Sequence, residues 1–128
     1  MDLNEYQAKA ALTAIYPEGV GSLIADARRQ HASSYLARLL ELSYVSLGLA
    51  GEAGEFANKV SKIIRDNPGV ITMGNKLKLI DELGDALWFL SEAARILGVD
   101  LEIVADDNLS KLANRAESGT IKGSGDER

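Results

Sequence analysis

Two acid-x-x-acid pairs carry the chemistry open to this chain. The first is Glu52 and Glu55, within Gly51-Glu52-Ala53-Gly54-Glu55-Phe56; the second is Glu82 and Asp85, within Asp81-Glu82-Leu83-Gly84-Asp85-Ala86. Residues three apart on a helix are neighbours on one face, so each pair aims two carboxylates at one place. Two such helices packed face to face would bring four carboxylates together. Buried anions do not share a site without cations, because each unpaired charge costs several kcal/mol or takes up a proton. An oxygen-only cage suits a hard divalent ion such as Mg²⁺ or Mn²⁺. The plainer reading is a solvated acidic surface. Against it, both pairs sit beside apolar residues (Ala53 and Phe56, Leu83 and Ala86), and like charges at helical spacing are mildly destabilising.

The elements that must position these pairs read as helices. Asp2 and Glu5 form a capping-box start, followed by Tyr6, Ala10, Thr13 and Tyr16, with Pro17-Glu18-Gly19 as the stop. Residues 17–30 read as a loop with one helical turn, and the lone histidine, His31, falls in a loop as well. A long helix is expected from Ser33 or Ser34 to about Arg65. Leu36, Leu39, Leu40 and Leu47 line one flank; Leu49, Ala53, Phe56, Val60 and Ile63 line another. Such a helix is buried on more than one side, which points to a subunit interface as well as a core. Glu41, Gly48, Glu52, Glu55, Lys59 and Lys62 share its polar stripe. Gly48, Gly51 and Gly54 each cost roughly 1 kcal/mol in a helix interior, so a close approach or a kink is expected there. Asp66-Asn67-Pro68-Gly69 and Gly74-Asn75 mark a break. Lys76 to Leu97 is the next helix, with Gly98 its C-terminal stop. Asp100 caps a last helix carrying Leu101, Val104, Leu109, Leu112 and Ala116, on which Asn108, Lys111 and Arg115 share a face. The reading is therefore all-α, a bundle of four to five helices in a single domain over residues 1–118, with a small, polar, flexible tail over 119–128.

Composition narrows the function. The 128 residues are 46% hydrophobic and 26% charged, with net charge −5. That balance lacks the basic footprint of a nucleic-acid binder, yet leaves room for a nucleotide whose charge metal ions neutralise. No cysteine is present, so thiolate zinc sites and cysteine nucleophiles are excluded. No apolar run reaches ~18 residues and the N-terminus is polar, so neither a membrane span nor a signal peptide is expected, and a cytoplasmic location follows by default. A di-iron bundle needs two Glu-x-x-His elements, which one histidine cannot supply. A glycine-lysine phosphate loop is absent too.

The segment Leu47-Gly48-Leu49-Ala50-Gly51-Glu52-Ala53-Gly54-Glu55, followed after a 26-residue spacer by Glu82-Leu83-Gly84-Asp85, resembles the MazG-type all-α nucleoside triphosphate pyrophosphohydrolases. The resemblance extends through Asn108 to Arg115 and into Gly119 to Asp126, and is strongest to small single-domain members from bacteria and their phages. Many members carry a second acid where this chain has Gly51. The departure bears on metal number and water activation and leaves the four core acids in place.

The resemblance implies Mg²⁺-dependent hydrolysis of a (deoxy)nucleoside triphosphate to monophosphate and pyrophosphate, with Mn²⁺ able to substitute. Glu52, Glu55, Glu82 and Asp85 are the implied metal ligands. Glu52 or Glu55 would orient or deprotonate the attacking water, and Glu41 is a further candidate base. Lys59 would reach a phosphate oxygen; its plainer role is to pair with nearby glutamates. Lys111 and Arg115 would neutralise charge on the leaving pyrophosphate, with a solvated surface as their plainer role, and Asn108 would hydrogen-bond phosphate or sugar. Trp88 and Tyr44 are candidates to stack on a base, although core packing suits them better. Ala- and Gly-rich walls leave room for a purine such as dGTP or dATP. A dimer or tetramer is implied. The competing readings are a dUTP- or phosphoribosyl-ATP-cleaving member of the superfamily, and a non-catalytic helical module that binds metal or nucleotide.

Overall fold

A computed structural model of the protein describes residues 1–29 and 34–121. Five helices follow one another: α1 (Leu3–Ala11), α2 (Tyr16–Arg29), α3 (Ser34–Asp66), α4 (Met73–Leu97) and α5 (Leu101–Glu117). The described residues contain no strand. The all-α expectation therefore holds, with α3 and α4 as the central antiparallel pair and α1, α2 and α5 packed around them. His31 and residues 122–128, with most of the expected tail, lie outside the described residues.

The start of α1 is as read: the Asp2 carboxylate accepts a hydrogen bond from Glu5 N at 2.6 Å. Its end is not. The helix closes at Ala11, where Thr13 Oγ1 turns back to donate to the Ala10 carbonyl at 2.8 Å. Residues 17–30 also differ from expectation, because Tyr16 to Arg29 form a helix. Pro17 lies in its first turn, where a missing N–H costs nothing and a fixed φ is an advantage. Tyr16, Val20 and Ile24 recur at a four-residue spacing and line the face that packs on α3. That period outweighs Gly19 and Gly21, whose helix-weakening tendency drew the loop reading.

Helix α4 begins at Met73, three residues before the expected Lys76, because Thr72 caps it by accepting from Asn75 N at 3.2 Å. Gly98 ends it in the left-handed region at φ 75°, as expected. The expected side-chain cap by Asp100 is not made. The orphan N–H groups of α5 go to α1 instead: Leu101 N donates to Gln7 Oε1 at 3.3 Å and Glu102 N to Asn4 Oδ1 at 3.2 Å. Gln7 Nε2 in turn donates to the carbonyls of Ser91 and Val99, which locks α1 over the α4–α5 junction.

The core is Tyr16, Val20, Val45 and Ile96, flanked by Leu40, Leu42, Trp88 and Phe89. Tyr44 stacks on Tyr16 at 4.7 Å, and Trp88 donates to Thr13 Oγ1 at 2.8 Å. Trp88 is thus half-buried against the core, whereas Tyr44 stacks on Tyr16 from the outside and stays exposed. Glu92 is fully buried; it accepts hydrogen bonds from Tyr16 Oη at 2.8 Å and from Arg95 Nη2 at 2.9 Å. A Cβ on Gly48 would lie 2.1 Å from the Phe89 ring, so here the expected close approach is to an aromatic side chain. Gly51 and Gly54 face open space, and nothing in the structure explains them.

Candidate metal centre

Packing of α3 on α4 turns the two acidic pairs toward each other. Carboxylate oxygens of Glu52, Glu82 and Asp85 lie within 4.8 Å of one another. The three differ in setting: Glu82 is buried, Glu52 half-buried and Asp85 exposed. Like charges this close raise the cost of ionising any one of them. The Glu52 carboxyl is accordingly pushed above the usual carboxylate range, first by burial, then by the charges of Asp85 and Glu55 and a hydrogen bond with Glu82.

Lys59 is the one cation in ion-pair contact with this group among the described residues. Its ammonium donates to Glu82 Oε1 across the helix interface and lies 3.6 Å from Glu55 Oε2 on its own helix. Those contacts hold the Lys59 ammonium above its ordinary value, with the Glu82 hydrogen bond the largest cause. The plainer role foreseen for Lys59, pairing with nearby glutamates, is thus met, and its strongest partner is 23 residues away. Glu55, the fourth expected ligand, is exposed and turned to Lys59, outside the three-carboxylate group.

The remaining candidates are spread out. Asn108 and Lys111 line a pocket of about 410 Å³ with Val104 and Asp107 on α5. Arg115 is half-buried on the same helix. Glu41 lines a pocket beneath α2 with Pro17, Ile24 and Arg29, and the carboxylate cluster is not part of its lining. Tyr6 was not foreseen. The α1–α5 ties bring it near Asp85, whose charge adds to burial in raising the Tyr6 phenol. Its only sequence signal is its place one turn into a capped helix, which does not say what that helix covers.

The donor set fits a hard divalent cation. Three carboxylate oxygens at this spacing can reach one ion or bridge two, and the set contains neither nitrogen nor sulfur.

The family model described as MazG nucleotide pyrophosphohydrolase domain matches residues 40–120. The chain belongs to this family. The matched span of the MazG domain runs from within α3 to just past the end of α5 and contains all four motif acids. A relative, "Gene 37 protein" of Mycobacterium phage L5, is 45% identical over 128 residues, covering the whole of both chains. No solved structure matches the chain. Among the described residues no helix is long and apolar enough to cross a membrane.

Proposed function

We propose that this MazG protein hydrolyses (deoxy)nucleoside triphosphates to monophosphate and pyrophosphate, by attack of water at the α-phosphorus. The observation that carries the reading is the convergence of Glu52, Glu82 and Asp85 inside a MazG domain. These residues, with Glu55 swung in from the neighbouring turn, would hold Mg²⁺, or Mn²⁺ in its place. A bound divalent cation supplies charge for the phosphate oxygens and lowers the pKa of a coordinated water. Glu52, whose carboxyl is disposed to carry a proton, and Glu55 are the residues to orient the attacking water and accept its proton. Lys59 stands between Glu82 and Glu55 and reaches a phosphate oxygen when it turns from Glu82. Asn108, Lys111 and Arg115 contribute from α5 to phosphate and sugar binding. The substrate is a purine deoxynucleotide such as dGTP or dATP.

The working form is a homo-oligomer, dimer or tetramer, in the cytoplasm, with residues 1–118 as one domain. Large apolar side chains on α3 and α4, among them Leu39, Leu47, Leu83 and Leu90, are exposed in the single chain and support the oligomer. Sedimentation showing only a 13.7 kDa species at working concentration would count against it.

Incubation with Mg²⁺ and a panel of NTPs and dNTPs, with products separated by ion exchange, tests the reaction. Wild type should release monophosphate and pyrophosphate, and Glu52→Gln should release neither. Diphosphate and orthophosphate as products would place attack at the wrong phosphorus. No product from any nucleotide would favour a binding module.

A further inference from the structure

Beside the carboxylate cluster, where the C-terminal end of α3 meets the start of α4, lies a pocket of about 270 Å³. Lys59, Lys62, Asn67, Asn75 and Lys78 line it, together with Asp66. Lys59 is common to the pocket and to the cluster, so the two are contiguous. Their charges are opposite. The one acid in the wall, Asp66, is held by Arg65 through hydrogen bonds at 2.5 and 2.7 Å, which keep its carboxyl below the usual range. Lys62 and Lys78 have no ion-pair partner within 4.0 Å among the described residues. Asn75 sits in the first turn of α4, whose helix dipole adds positive potential. Two lysines outside ion-pair distance of any acid among the described residues, with Lys62 sharing Asp66's field only through space, amide donors and a helix start around one concavity describe a receptor for a compact polyanion. The volume falls just below the ~300 Å³ at which pockets for drug-sized ligands begin, which suits a phosphate chain better than a base.

We propose that Lys62, Lys78 and Asn75, with Lys59 as the shared wall, form a binding site for the terminal phosphates of the substrate and for the pyrophosphate that leaves. The proposal rests on the hydrolytic reading for the direction in which the substrate lies: α-phosphate at the carboxylates, distal phosphates over Lys59 toward Lys62 and Lys78. The lysines of this pocket then take the leaving-group charge, and Lys111 on α5 serves another part of the substrate.

The test is calorimetric titration of the full chain with inorganic pyrophosphate in metal-free, low-salt buffer. The proteins compared are wild type, Lys62→Gln/Lys78→Gln, and Lys76→Gln, an exposed lysine of α4 that is not in the wall. Each lost charge-assisted contact is expected to weaken binding about tenfold or more, so the double variant should lose on the order of a hundredfold. Lys76→Gln should stay within about threefold, the scale of screened surface charge. All three side chains are exposed, so equal melting temperatures are expected and confirm folding. No binding by wild type, unchanged affinity in the double variant, or an equal loss in Lys76→Gln would overturn the site. The same proteins are then assayed with nucleotide and Mg²⁺, where the double variant should raise KM and still yield monophosphate. Pyrophosphate binding without hydrolysis by wild type would sink the enzymatic reading and leave the anion site standing. Hydrolysis with an unchanged KM in the double variant would sink the site alone.

Discussion

Lys59 and Glu82 meet across the α3–α4 interface, the lysine ammonium donating to a carboxylate that is only 9% exposed. The pair sits at the boundary between an acidic cluster and a basic pocket. Glu82 is one of three converging carboxylates, and Lys59 is the cation that offsets part of their repulsion.

Removing that cation exposes the cost. In metal-free buffer, Lys59→Met leaves Glu82 buried without a partner, beside two further acids. Because Lys59 is itself solvated, we expect a loss of stability smaller than that of breaking a fully buried pair. Urea denaturation measures it. Millimolar Mn²⁺ should recover much of the loss, and a variant as stable as wild type without metal would show that the pair contributes nothing.

Divalent cations should stabilise the wild type by binding the folded state alone. At a hundred times Kd the gain is about 2.7 kcal/mol, seen as a rise in melting temperature that EDTA reverses. Asp85→Asn should abolish most of this rise. The same variant in EDTA should melt no lower than wild type, because it removes a like charge from the cluster. A variant that melts lower in EDTA would mean that Asp85 stabilises the fold rather than the ion.

Two glycines three residues apart on α3 should respond oppositely to alanine. In Gly48→Ala the new methyl collides with the Phe89 ring, which Trp88 holds edge-on at 4.9 Å. Overpacking of this kind costs about 1–3 kcal/mol and outweighs the helix-propensity gain. Gly51→Ala meets nothing within 4 Å in the single chain and should raise stability by up to about 1 kcal/mol. Thermal melts of the two variants decide this; a destabilised Gly51→Ala would reveal a surface packed against that face.

The buried Tyr16–Glu92 pair, with Arg95 at its exposed edge, predicts an alkaline limit. Burial, then the hydrogen bond to Glu92 and its charge, push the Tyr16 phenol up to about 12. A tyrosine in the unfolded chain ionises near pH 10. Between these values the unfolded chain gives up a proton that the folded protein keeps, so stability is full below about pH 10 and falls as pH rises toward 12. Ultraviolet titration should show one of the four tyrosines ionising last. Tyr16→Phe should be less stable at neutral pH by about 1 kcal/mol and should decline less steeply in alkali.

The sequence by itself determined the all-α class, the span of α3, the stop at Gly98 and the two acidic pairs, because these rest on local periodicity, turn chemistry and three-residue spacing. It read residues 17–30 as a loop with one helical turn where α2 forms, because Gly19 and Gly21 obscured the Tyr16-Val20-Ile24 period that packing on α3 made decisive. It foresaw four converging carboxylates but not that Glu55 would turn away to Lys59 while Lys59 reached across to Glu82. Nor could spacing within one helix show that Asn4 and Gln7 satisfy the start of α5, or that the charge of Asp85 acts on Tyr6. The basic pocket joins the end of α3 to the start of α4, with Lys62 and Lys78 on opposite sides of the break at Pro68. Local rules act over a turn or two of chain. Which charges share a space depends on how the helices are set against one another, and that is decided only when their apolar faces are buried together.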